Sequence, residues 1–151
     1  MKWIMLINKL PRAKTTAVKV SVWRKLKKLG AYPLQDSVFI LPFSERTLEH
    51  FEWLSQEIKE MGGDASLWET VSIDSEQEHR IKEFFIEQVN REYSDIIDSV
   101  REAENIKQLQ RLWTRFHRVK TQDYLRSPLW IEVKSALENR AAQIMGEDDV
   151  K

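Results

Sequence analysis

Over residues 1–74 the hydrophobic period switches between that of a strand and that of a helix in the order β-α-β-β-α-β. This alternation limits the possible folds more than any other feature of the chain. Trp3 to Leu10 is rich in β-formers and stops at Pro11, as a buried strand does. Val18, Val22, Leu26 and Leu29 recur at helical spacing behind a Thr15 or Thr16 cap, and Gly30 is placed to end that helix. Ala31 to Gln35, with Pro33, predicts an edge strand. It turns at Asp36-Ser37 into the strand Val38 to Leu41, which Pro42 stops. Ser44 caps a second helix bearing Leu48, Phe51, Leu54, Ile58 and Met61, ended by Gly62-Gly63. Ala65 to Ile73 alternates in part and predicts the fourth strand. The expected fold is α+β: a ferredoxin-like antiparallel sheet with both helices on one face. Trp3, Phe39 and Trp68 are expected on the other face, which invites a second copy or cover from the rest of the chain.

From residue 75 onward the signal is helical only, predicting an extension of about three helices over 75–151, packed on the 1–74 core as one structural unit. Ser75-Glu76-Gln77-Glu78 has the pattern of a capping box. A long helix follows through Ile81, Phe85, Val89, Tyr93, Ile96 and Val100. The next carries Ile106, Leu109, Leu112, Trp113, Phe116 and Val119. Thr121 to Ser127 is a loop, and Pro128 opens a last helix with Leu129, Val133, Leu137 and Ile144. The acidic tail from Gly146 to Lys151 is expected to fray.

At 151 residues, 42% hydrophobic and 32% charged, the chain can bury a core. The absence of cysteine excludes disulfides, thiolate metal sites and thiol chemistry. No apolar run approaches the roughly 20 residues that span a bilayer, and the start of the chain lacks a signal-peptide pattern, so a cytoplasmic protein without a membrane partner is expected.

Zero net charge conceals an asymmetry. Every charged side chain from Met1 to Gly30 is basic, acids dominate from Ala31 to Glu104, and the balance turns basic again from Asn105 to Arg140. Lys9, Arg12 and Lys14 fall around the loop after the first strand, and Lys19, Arg24, Lys25, Lys27 and Lys28 fall on the first helix. Such a set suits an anionic partner, either successive nucleic-acid phosphates or one tetrahedral oxyanion held by Arg12, Lys14 and Arg24. An ordinary solvated surface is the competing reading. Trp23 and Trp53 lie near the borders of their helices' apolar faces; core packing is the usual fate of such residues, with base stacking as the alternative.

Catalytic signals are weak. His79 and Glu83 make an i, i+4 pair where a metal site needs three or four ligands, and His50 and His117 stand among polar neighbours. The carboxylates lie on polar helix faces, and no nucleophile elbow, P-loop or dinucleotide fingerprint is present. A binding protein with no cofactor, rather than an enzyme, is expected.

The run Val22-Trp23-Arg24-Lys25-Leu26-Lys27-Lys28-Leu29-Gly30-Ala31, followed by Leu34-Gln35-Asp36-Ser37-Val38-Phe39-Ile40-Leu41-Pro42, resembles the N-terminal domain of the chromate-resistance protein ChrB. Phe51 to Leu54, Ile58 to Ala65, Arg91-Glu92-Tyr93, Arg118 to Tyr124 and Ser127-Pro128 extend the resemblance over nearly the whole chain. The family's longer members are regarded as chromate-responsive transcriptional regulators and carry a further C-terminal domain. The resemblance therefore implies a regulatory protein of the chromate-resistance type, binding DNA through the basic helix and loop. The alternative is an oxyanion sensor for chromate or sulfate, or a protein-interaction module. The first half is also similar to the small CRISPR-associated integration nucleases and to phenylacetate-type repressors, both dimer formers, which implies a homodimer. Those nucleases carry an aspartate just after the first strand; here the place is held by Asn8-Lys9, and no carboxylate occurs until Asp36.

Overall fold

The computed structural model describes residues 1–12 and 15–150, with the backbone alone at residue 15 and at 148–150. Strand β1 (Trp3–Lys9) leads to helix α1 (Thr15–Leu29), the hairpin β2 (Tyr32–Gln35) and β3 (Val38–Pro42), helix α2 (Glu45–Glu60) and strand β4 (Asp64–Thr70). Three helices follow: α3 (Ser75–Glu102), α4 (Ile106–Thr121) and α5 (Leu129–Val150). Among the described residues no helix is long and apolar enough to cross a membrane.

The four strands form one sheet in the order β2-β3-β1-β4, with every neighbouring pair antiparallel. On one face Ile4 and Leu6 of β1 align with Leu41 and Phe39 of β3; Ile4, Leu6 and Leu41, with Val22, Leu26, Phe51, Leu54 and Ile58 of the helices, are buried, while Phe39 is partly so. Strand pleating sends alternate residues to the opposite face, where Trp3, Met5 and Ile7 align with Pro42, Ile40 and Val38 on one side and with Thr70, Trp68 and Ser66 on the other. Trp3 and Trp68 thus take their expected face, but Phe39 belongs to the helix-covered one. The reason is register: Phe39 stands opposite Leu6, and a single-residue offset changes the face.

The non-helical face is covered at one end and open at the other. Trp3 is buried and its indole N–H donates to Glu78 Oε1 at 3.2 Å, whereas Trp68 remains 57% exposed. Strand β4 ends at Thr70, short of the expected Ile73, because its partner β1 begins at Trp3 and offers no backbone beyond the Trp3–Thr70 pair. Val71 and Ile73 consequently stand exposed.

Helix ends follow local chemistry. Gly30 (φ 73°) donates to Lys27 O and Ala31 to Leu26 O, a Schellman closure of α1. Ser44 caps α2 in a box with Thr47. The box expected at Ser75 is replaced by Asp74, whose carboxylate accepts from Glu76 N at 2.9 Å. A short anionic side chain at a helix start answers both the free N–H groups and the helix dipole. Helix α5 continues through Gly146 to Val150 where fraying was expected.

The chain divides into two compact units, Met1–Ile81 and Lys82–Lys151. The division falls inside α3, so the first turns of that helix belong with the sheet. The second unit has its own core, including Val89, Tyr93, Ile96, Leu109, Phe116, Val133 and Leu137. A polar knot closes one end of it. Tyr93 Oη donates to Asp123 Oδ2 at 2.9 Å, Ser127 N donates to Asp123 Oδ1 at 2.9 Å, and Ser127 Oγ donates to Asn90 Oδ1. Burial, together with the carboxylate of Asp123 beside it, pushes the Tyr93 phenol well above the ordinary tyrosine range.

Candidate nucleic-acid interface on the first helix

Helix α1 buries Val22 and Leu26, and its exposed positions carry the charge. Its basic residues do not form one face. Lys25 turns toward α2 and pairs with Glu57. Arg24 and Lys28, four residues apart, project outward and are exposed. On the flank away from α2, Lys19, Trp23 and Lys27 succeed one another at i, i+4 and i+8, and the Lys27 ammonium lies 4.7 Å from the centre of the Trp23 ring. Lys27 and Lys28 also occupy the last turn of the helix, where positive charge offsets the free carbonyls.

Of the loop residues, Lys9 is exposed at the end of β1, aligned with Asp64 of β4, and Arg12, also exposed, precedes α1. Lys14 lies outside the described residues. Arg12 precedes the helix, and Arg24 sits nine residues into it, about 14 Å along its axis. The basic groups are therefore strung along a rod.

Beside the Lys19–Trp23 flank lies a cleft of about 600 Å³. Its walls are Leu10, Val22, Leu26 and Phe39, with Trp23 at the rim and Asn8, Asp36 and Ser37 supplying polar atoms. The lining draws on the end of β1, on α1 and on the β2–β3 turn. Asn8 is nearly buried, at 8% exposure, and both its backbone N and its Nδ2 donate to Ser37 O, at 2.9 and 3.2 Å. Among the described residues, Asp36 is the one carboxylate that lines this cleft.

Trp23 and Trp53 were candidates for the core, yet they are 55% and 65% exposed. Their positions at the border of the apolar stripe decide the matter: a ring too wide for the helix–sheet gap turns to solvent while the smaller Val22 and Leu54 fill it. Trp53 sits among Glu45, Glu49 and Glu52 on α2, a surface of opposite charge to α1.

A second basic surface was not among the candidate site residues. Helix α4 contains no acid, and Lys107, Arg111 and Arg118 stand exposed along one side of it. Its other basic groups are engaged: Arg115 pairs with Glu92 at 2.8 Å, and the Lys120 ammonium lies 4.3 Å from the Trp130 ring. The basic balance from Asn105 onward was the only hint of it in the sequence. Among the described residues, no three of the histidines and carboxylates converge as metal ligands would. His117 stacks on Trp113 instead.

The family model described as Protein ChrB, N-terminal, matches residues 19–106, more than half of the chain. This chain belongs to the ChrB N-terminal family. Membership associates it with chromate resistance. The ChrB match begins at Lys19 and so includes most of α1, the hairpin, α2, β4 and α3, while β1, Arg12 and helices α4 and α5 fall outside it. No match was found among curated proteins or solved structures.

Proposed function

We propose that this chain is a regulatory, non-catalytic module of the ChrB N-terminal type that acts in the cytoplasm and binds DNA through α1 and the loop before it. The observation that carries the reading is the linear spread of exposed cations, from Arg12 to Lys28, on an element without a single acid. Arg24 and Lys28 on the outward side, with Lys19 and Lys27 on the flank away from α2, offer several cations to successive backbone phosphates. This spread suits a lone chromate or sulfate dianion less well, since Arg12 and Arg24 are separated by most of the helix. Two further features accompany the proposal. The β-α-β-β-α-β order with β3 and β1 in the middle of the sheet supports a ferredoxin-like reading of the first unit. The exposed end of the sheet, with Ile7 and Trp68, suits a second copy of the chain.

The test is affinity for random-sequence duplex DNA across a salt series. Wild type is expected to show log K falling linearly with log salt, and Arg24→Glu with Lys28→Glu to weaken binding and flatten the slope by about 2, one for each phosphate contact removed. Arg111→Glu with Arg118→Glu, on α4, is expected to leave both unchanged. No retention at low salt, or a loss confined to the α4 variant, contradicts the assignment to α1.

A further inference from the structure

We infer that the cleft between α1 and the β2–β3 turn receives one unpaired base of a single-stranded nucleic acid, stacked on Trp23. This rests on the phosphate-binding role of α1 and names the form of nucleic acid that the same surface prefers.

Three observations converge. The first is the ring itself. Trp23 is more than half exposed at the rim of a cleft with apolar walls, and Lys19 and Lys27 lie one turn before and after it. An aromatic platform with a cation on either side is the arrangement that holds a base and its flanking phosphates. The Lys27 ammonium lies over the Trp23 ring, and Lys27 itself is not among the residues that line the cleft.

The second is a polar group at depth. The Asn8 carboxamide is held in one orientation because its N–H donates to Ser37 O, which leaves Oδ1 as the other arm of the amide. Among the described residues no donor is bonded to Asn8 Oδ1, and Asn8 lines the cleft. No buried side-chain polar atom among the described residues lacks a partner, so Asn8 Oδ1 is open to the cleft, where an entering group can donate to it.

The third is the sign of the remaining polar atoms. The Asp36 carboxylate is a second acceptor in the same cleft. Two acceptors favour an edge with an exocyclic amino group, as cytosine, adenine and guanine carry, over thymine, whose single ring N–H lies between two carbonyls. In a duplex those edges are paired and the faces stacked, so exposing a base costs extra free energy. A single strand presents both at once.

The experiment measures the affinity of the full chain for labelled oligo(dC), oligo(dT) and a mixed-sequence blunt duplex of equal length at low salt. The inference expects oligo(dC) to bind more tightly than either of the others. Trp23→Ala, a change at an exposed position, is expected to weaken oligo(dC) binding about tenfold and duplex binding by much less. Asp36→Asn, which replaces a pure acceptor with a group that also donates, is expected to narrow the gap between oligo(dC) and oligo(dT). Equal affinity for single strand and duplex, or equal losses for both in Trp23→Ala, overturns the inference and leaves phosphate binding by α1 standing. Absence of binding to all three overturns both.

Discussion

Tyr93 is wholly buried, yet its phenol is the donor in a charge-assisted bond to Asp123. The helical period of α3 placed Tyr93 in a core without difficulty. Its hydrogen bond was beyond reach, because the acceptor lies thirty residues away in an irregular loop. The Asp123 and Ser127-Pro128 positions, which carry part of the ChrB resemblance, prove to be joints. Asp123 binds Tyr93 and the Ser127 amide, and Ser127 Oγ accepts from Leu129 N at the start of α5. The bond has a consequence for pH. Folding raises the Tyr93 pKa above the value near 10 that the unfolded chain shows. Below about pH 10 both states hold the proton and the contribution is complete. As pH rises from there toward the folded pKa, the unfolded state alone loses its proton, and stability falls. Thermal melts are expected to show wild type losing stability above about pH 10 more steeply than Tyr93→Phe. The variant itself is expected to be less stable by about 1 kcal/mol at neutral pH. Parallel alkaline profiles for the two proteins would contradict the role of this bond.

At the scale of elements, the turns do most to place the candidate site. Gly30 and Gly62-Gly63 were legible as helix terminators from the sequence alone, and the structure adds what stands against them. A Cβ on Gly63 would meet Lys9 O at 2.6 Å and Ile58 O at 3.2 Å. Both are backbone atoms and neither can rotate away, so Gly63 is what allows α2 to end against the last residue of β1. Gly63→Ala is expected to lower unfolding stability by about 1–3 kcal/mol, read as a lower denaturant midpoint at unchanged m. Gly30→Ala is expected to lose about 1 kcal/mol, since it forces a side chain into the left-handed region. The elements themselves were well foreshadowed. Misplacements came where a neighbour overruled the local signal: Phe39 through its register with Leu6, the end of β4 through the start of β1, and the cap of α3 through Asp74. The flanks of α1 belong to the same class. Charge counting identified a basic helix, but only packing separates Lys25, turned to Glu57, from Lys19 beside the cleft. Lys25→Glu is accordingly expected to act mainly through repulsion of Glu57, and to weaken DNA binding less than Arg24→Glu in the same assay.

Across the chain, neutrality is a sum of elements of opposite sign. Helices α1 and α4 are acid-free, while α2 presents Glu45, Glu49 and Glu52 around Trp53. The sheet leaves Trp68 and Ile7 in solvent at one end of its non-helical face. If a second copy covers that end, sedimentation of wild type is expected to show a concentration-dependent dimer, and Trp68→Glu a monomer with unchanged secondary structure. A wild-type monomer at all concentrations would remove the dimer from the proposal without touching α1. The central claim is where nucleic acid sits, and titrating a short oligo(dC) into isotopically labelled protein while following amide and indole N–H shifts tests it most directly. The account predicts that perturbations cluster on Asn8 and on Lys19 to Lys28, and that Trp23 shifts most among the six indoles. Perturbations centred on α4 and the Trp113 and Trp130 indoles, with Trp23 unmoved, would contradict it.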